Sequence, residues 1–168
     1  ALAHASRGRK SAGPYTSPVP PTSEDARWLA RCLELARQAA AADEVPVGAV
    51  VVVDGQVVGE GRNRVEELRS PLAHAEMLAL QQALVHAGNK RLANATLYCS
   101  LEPCFLCAGA ILHTRVDRVV FGASDLKFGA VRSLANVLED PRLNHRCTVV
   151  AGVEAAASAE LLRAFFRH

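Results

Sequence analysis

Aromatic residues are scarce in this chain: five Phe, two Tyr and one Trp make up 5% of 168 positions. Few rings leave few platforms on which nucleobases could stack. Long hydrophobic runs are missing as well. Half the residues are hydrophobic, yet no uninterrupted stretch approaches the roughly 20 apolar residues of a membrane-spanning helix, so a membrane protein is excluded on that count. Charge of one sign is also weak. A formal net charge of +2 does not by itself announce a nucleic-acid partner, which is better recognised by local basic clusters. Cysteines number five (Cys32, Cys99, Cys104, Cys107 and Cys147), an odd count without a secretory signal, which argues against a disulfide framework and for a reducing, cytoplasmic setting. Residues 1–22 lack Asp and Glu and have no compact apolar core; rich in Ala, Ser and Pro, with Arg7, Arg9 and Lys10, they read as a disordered tail. A remnant of an organellar transit segment is the sharper reading of the same residues.

What is present begins at Ser23, where the composition changes abruptly, and residues 23–168 have the size of one domain. Trp28, Leu29, Cys32, Leu33, Leu35 and Ala36 recur at helical spacing, which predicts a helix capped by Ser23 or Asp25 and ending near Asp43. Two β-branched runs around Asp54-Gly55, within 47–61, predict a hairpin. Residues 70–88 predict a second helix, with Ala73, Met77, Leu80 and Leu84 on one face and Gly88 after its end. Then come a strand (95–100), a helix (103–114), a strand (118–123), a loop with a short helix (124–144), a strand (147–153) and a last helix (155–167). Helices alternating with apolar strands imply some parallel pairing, and the expected fold class is a three-layer α/β domain.

Chemistry concentrates in two short stretches. Cys104 and Cys107, three apart after Pro103 in the first turn of a helix, lie on one face, so both sulfurs reach one point. Alone, that pair fits a metal corner, a redox pair or two buried thiols. Upstream, His74 and Glu76 also open a helix, and the chain thereby matches the H-x-E…P-C-x-x-C arrangement of zinc nucleobase deaminases. His74, Cys104 and Cys107 then supply three ligands of a tetrahedral Zn2+, one per subunit, with the fourth position open for catalysis; another His or Cys99 as a fourth ligand would make the site structural instead. The metalloprotease spacing H-E-x-x-H is absent. Residues two apart share a site only at a helix mouth, which puts His74 and Glu76 there. Glu76 is placed to shuttle protons.

These motifs leave free-base, nucleotide and polynucleotide deaminases open. The stretches EVPVGAVVV (44–52), EGRNR (60–64), AHAEMLAL (73–80), LYCSLEPCFLCAGAILHTRVDRVVFGASDLKFGA (97–130), LNHR (143–146) and LLRAFFR (161–167) together resemble bacterial-type tRNA-specific adenosine deaminases, over nearly everything after Ser23. The resemblance implies a cytidine deaminase-like α/β/α fold with a mixed sheet of about five strands, a homodimer, and conversion of the wobble adenosine of a tRNA anticodon, that of arginine tRNA, to inosine. It also implies Asn63 as a contact to the flipped base, and Asp125, Lys127 and Phe166 as contacts to the anticodon stem-loop. As bare residues, Asn63 reads as turn chemistry and Asp125 and Lys127 as a solvated loop. Arg62, Arg64 and Arg69 precede the catalytic helix, and Arg142, His145, Arg146, Arg163 and Arg167 mark the C-terminal third. Phe128 and Ser124 depart from the family's loop pattern. A guanine- or cytosine-type deaminase on the same fold is the alternative.

Overall fold

The computed structural model describes residues 18–167, so most of the expected amino-terminal tail lies outside the described residues. Helix α1 (Ser23–Ala41) starts on Thr22, whose hydroxyl accepts the Asp25 N–H while the Asp25 carboxylate accepts the Thr22 N–H at 2.8 Å. Thr22, rather than Ser23 or Asp25, is the cap because Asp25 stands at the third helical position, where an acid closes a reciprocal capping box. The helix buries Trp28, Leu29, Cys32, Leu35 and Ala36 along one face.

Strands β1 (Gly48–Val53) and β2 (Gln56–Arg62) form the expected hairpin, and Asp54 and Gly55 both take positive φ, 50° and 72°. A two-residue turn of that handedness matches the twist of the flanking strands. Helix α2 (Val65–Leu68), one turn long, has no counterpart in the sequence pattern. Helix α3 (Ala75–Ala87) begins five residues later than expected, because His74 is an extended N-cap. Its buried face is also turned: Ala75, Glu76, Ala79, Leu80 and Ala83 face inward, while Met77 and Leu84 are half-buried. Close packing sets that rotation. A Cβ on Gly59 would lie 2.3 Å from the Ala79 carbonyl, and one on Gly61 2.6 Å from the Ala75 carbonyl, so small residues on both elements let α3 settle directly on β2.

Strand β3 (Ala95–Leu101), helix α4 (Phe105–Thr114), strand β4 (Arg118–Ala123), a short strand β5 (Thr148–Val150) and helix α5 (Ala155–Phe166) complete the fold. The five strands form one mixed sheet in the order β2-β1-β3-β4-β5, with β1 antiparallel to β2 and β3 and the pairs β3–β4 and β4–β5 parallel. The expected short helix in 124–144 is absent: the segment is a series of turns.

Strand alternation divides the core. Ala49 and Val51 face α3 and α4 in a cluster with Leu97, Ile111 and Phe121, whereas Val50 and Val52 face α1 together with Tyr98 and Val120. Both faces are covered, which is why β1 is an unbroken apolar run instead of an alternating one. Among the described residues no helix is long and apolar enough to cross a membrane.

One buried polar tie joins α1 to the sheet. Asp25 accepts two hydrogen bonds from the Arg118 guanidinium, each 2.7 Å, and a third from the Tyr98 hydroxyl at 3.2 Å. Burial alone would raise the Asp25 carboxyl, but the hydrogen bonds and charge of Arg118 outweigh it and hold the group below its ordinary value. A depressed folded-state pKa contributes stability above the unfolded value and loses it as pH falls through the folded value. Asp25→Ala is therefore expected to cost about 3 kcal/mol at pH 7 by urea denaturation, since it leaves Arg118 unpaired. The difference from wild type should shrink below about pH 4; a difference independent of pH would show that the Asp25 charge carries none of the loss.

Candidate active site

His74 and Cys104 are the N-cap residues of α3 and α4, both in extended backbone, and neither side chain caps its own helix. Freed from capping, the two side chains meet across the gap between the helix mouths. The His74 Nδ1 lies 3.5 Å from the Cys104 Sγ and 3.4 Å from the Cys107 Sγ. Cys107, in the first turn of α4, is buried, and it donates to the Glu76 Oε2 at 3.5 Å. Glu76, in the first turn of α3, is buried as well. The two-residue spacing of His74 and Glu76 thus serves one site because it straddles the start of a helix.

The donor set fits zinc. Zinc–sulfur and zinc–nitrogen bonds of about 2.3 and 2.0 Å, set at tetrahedral angles, place nitrogen and sulfur about 3.5 Å apart. The two observed N···S separations have that length, and all three donor atoms lie within 4.8 Å of one another. Among the described residues no fourth protein donor joins them. Cys99 is turned to the Val120 carbonyl, and the His145 ring nitrogen lies 2.7 Å from the Val116 carbonyl oxygen, so neither closes the set as a structural site requires.

Protonation agrees with a cation corner. The Cys104 thiol is pulled down to about 4, first by the hydrogen bond from Cys107 and also by His74. The Cys107 thiol is pushed far up by the Cys104 thiolate beside it and by its burial. A divalent cation bound here displaces the thiol protons. His74 is raised by its hydrogen bond to Cys104, and burial, with the Cys104 charge, pushes Glu76 up to about 7.

His74, Glu76 and Cys104 open into a cavity of about 510 Å³, walled also by Asn63, Glu44, Glu102, Asp125, Phe128 and Phe165, whereas Cys107 is fully buried beside them. That volume accommodates a nucleoside. A second cavity of about 620 Å³, bounded by Pro18, Val19 and Asn136, holds no comparable cluster; its Arg132 and Glu139 neutralise each other at 2.8 Å. The structure brings Asn63 into the first cavity with its side-chain oxygen buried and without a hydrogen-bond partner. Asp125 reaches the wall, but its carboxylate accepts the N–H groups of Lys127 and Phe128, at 3.1 and 3.2 Å, and so shapes its own turn. Lys127 is exposed outside the cavity. Phe166 is exposed too, while its neighbour Phe165, in edge contact with it at 5.2 Å, lines the wall.

Two buried acids were not singled out by the sequence pattern. Glu102 accepts hydrogen bonds from the backbone N–H groups of Asp125, Val131, Arg132 and Ser133 and from the Ser133 hydroxyl. Those bonds outweigh the effect of burial and hold its carboxyl below the usual value. Glu44 accepts from the N–H groups of Glu66 and Glu67 at 2.7 and 3.3 Å, which fixes α2 at the cavity edge. Glu102 directly follows the apolar strand β3, and a charge that must be buried there needs partners; that was the available signal for it.

Residues 23–168 match the family model of the MafB19-like deaminases. The chain is 46% identical to the tRNA-specific adenosine deaminase of Haemophilus influenzae, over 85% of this chain and 83% of that one. It is 41% identical to the enzyme of the same name from Bacillus subtilis, over 86% and 90%. A structure solved in a study of A-to-I editing by tRNA:A34 deaminases superposes with a TM-score of 0.78 at 41% identity, covering 81% of this chain and 99% of that one. A guanine deaminase from Nitrosomonas europaea gives 0.75 at 28% identity, covering 90% and 89%. With such identity sustained along nearly its whole deaminase region, the chain belongs to the tRNA-specific adenosine deaminase family and is an enzyme of that family.

Proposed function

We propose that this enzyme hydrolyses the wobble adenosine of a tRNA anticodon, that of arginine tRNA, to inosine and ammonia, with zinc held by His74, Cys104 and Cys107. The observation that carries the reading is the convergence of these three donors beside Glu76, at the wall of a nucleoside-sized cavity, in a chain 41–46% identical to tRNA-specific adenosine deaminases. When bound, zinc supplies Lewis-acid activation of water near neutral pH. The residues do the rest. The Glu76 carboxylate takes one proton from the attacking water and passes it to N1 of the purine as the C6–O bond forms. It then takes the remaining proton from the new C6 hydroxyl and delivers it to N6 as the C6–N6 bond breaks and ammonia leaves. Its burial keeps bulk water from competing for those protons. Asn63, with an unpaired buried oxygen, offers the flipped base a polar partner.

Lys127 and Phe166, exposed beyond the cavity, suit contacts to the nucleotides flanking the target, one by charge and one by stacking. Asp125 serves the same loop. The domain carrying this activity spans 23–168, behind an amino-terminal tail, and works in the cytoplasm. Exposed Phe105, Leu106, Leu126 and Phe128 support a homodimer, since apolar side chains gathered near one site favour a partner surface.

The purified, metal-loaded enzyme should form inosine at the wobble position of arginine tRNA, read by sequencing reverse transcripts. The likeness to a guanine deaminase keeps the free-base reading open to the same assay. Ammonia release from guanine or cytosine, with none from an anticodon stem-loop, would overturn the proposal. Metal analysis should find one zinc per chain. Cys104→Ala, which removes the most acidic donor, should lower that content at least tenfold and abolish turnover; full zinc retention in that variant would remove Cys104 from the ligand set.

A further inference from the structure

Glu44 is 1% exposed and lines the cavity beside Asn63 and Glu76. Only half of its carboxylate is used by the protein. Oε1 holds the two α2 N–H groups, whereas Oε2 is buried with no hydrogen-bond partner. Among the described residues no ion pair compensates the charge. A buried, unpaired acceptor on a charged group is costly, and an enzyme retains one where the substrate completes it.

A carboxylate accepts only, so the missing partner is a donor. An adenosine within an RNA chain offers two kinds: the N6 amine and the ribose 2′-hydroxyl, since the 3′ and 5′ oxygens are esterified and the phosphates repel a carboxylate. The amine belongs at the reacting end, where Glu76 meets the cysteines and His74. Glu44 is anchored instead on α2. We propose that Glu44 Oε2 accepts a hydrogen bond from the ribose 2′-hydroxyl of the target nucleoside and thereby makes the enzyme select a ribonucleotide. This rests on the reading that the substrate is an adenosine in RNA.

The test pairs substrate and protein changes. Anticodon stem-loops carrying adenosine, 2′-deoxyadenosine or 2′-fluoroadenosine at the wobble position only are assayed for kcat/KM with wild type and Glu44→Gln. Gln keeps an oxygen for α2 but presents an amide to the cavity. Wild type should lose about ten- to a hundredfold on the deoxy substrate, the scale of a hydrogen bond to a charged group, and at least as much on the fluoro substrate, whose acceptor faces the carboxylate. In Glu44→Gln the ribose-to-deoxyribose ratio should fall to about threefold or less. An equal loss on both substrates in that variant would make Glu44 merely the anchor of α2, and the proposal fails. Should the variant not fold, wild type alone decides: equal rates on the hydroxyl and deoxy substrates overturn it. Failure to deaminate the all-ribose stem-loop would instead sink the proposed function, which keeps the two outcomes apart.

Discussion

Glu76→Gln should keep its fold and one zinc per chain while kcat falls by about three to four orders of magnitude, the upper range for loss of a general acid–base group. The reason is that one carboxylate must move several protons in a fixed sequence, and an amide can neither accept nor release them. Three observations separate this role from a ligand role. The His74, Cys104 and Cys107 donor atoms gather without Glu76, which instead accepts a hydrogen bond from Cys107 at 3.5 Å. Glu76 sits in the first turn of α3, two residues inside the N-cap residue that carries the imidazole. It is also buried, so a neutral side chain of the same shape removes the penalty of holding a charge there and leaves the melting temperature unchanged or higher. Metal analysis together with single-turnover inosine formation checks both halves. Loss of zinc from the variant would show that the carboxylate binds metal, and residual activity within tenfold of wild type would assign the proton transfers elsewhere.

The His/Cys donor cluster was legible because each half is local. His74-Ala75-Glu76 and Pro103-Cys104-Phe105-Leu106-Cys107 are each compact enough to be read as motifs, and only their meeting required the fold. The sheet was legible for a related reason: Val50 to Val53 and Val119-Val120-Phe121 are β-branched or aromatic runs that have no alternative to burial on both faces. The start of helix α3 was misjudged only by the apolar periodicity, which runs back to residue 70. The two-residue spacing of His74 and Glu76 placed both at a helix mouth, where His74 is the extended N-cap with its ring near the cysteines. Glu44 and Glu102 escaped for another reason. Their partners lie 22 to 31 residues away, and no local pattern encodes a carboxylate that caps a remote turn.

Glu102→Ala should be the most damaging substitution to stability outside the apolar core, by about 3–5 kcal/mol, and should abolish activity without touching His74, Cys104 or Cys107. The 124–144 segment has no helix to hold it, and between Asp125 and Ser133 the backbone N–H groups converge on this one buried carboxylate. Removing it leaves four donors, three of them on consecutive residues, to find water or remain unpaired. Gly129 shows how closely the loop is moulded to the acid: a Cβ there would lie 2.3 Å from the Glu102 carboxyl carbon, so no other residue fits without moving one of them. The same loop places Asp125 and Phe128 on the cavity wall, and Cys104 is bridged to Gly129, which couples the loop to the His/Cys cluster. Glu102→Gln is the informative companion, because its amide keeps one acceptor but turns a donor toward N–H groups that need none. It should recover less than half of the lost stability. The acid dependence follows from the depressed carboxyl: its contribution is fully present above the unfolded value near 4.5 and is lost as pH falls through the lower folded value. Wild type should therefore lose stability steeply below about pH 4. Urea midpoints of the three proteins between pH 3 and 7 test this, and an alanine variant as stable as wild type at pH 7 would remove Glu102 from its organising role.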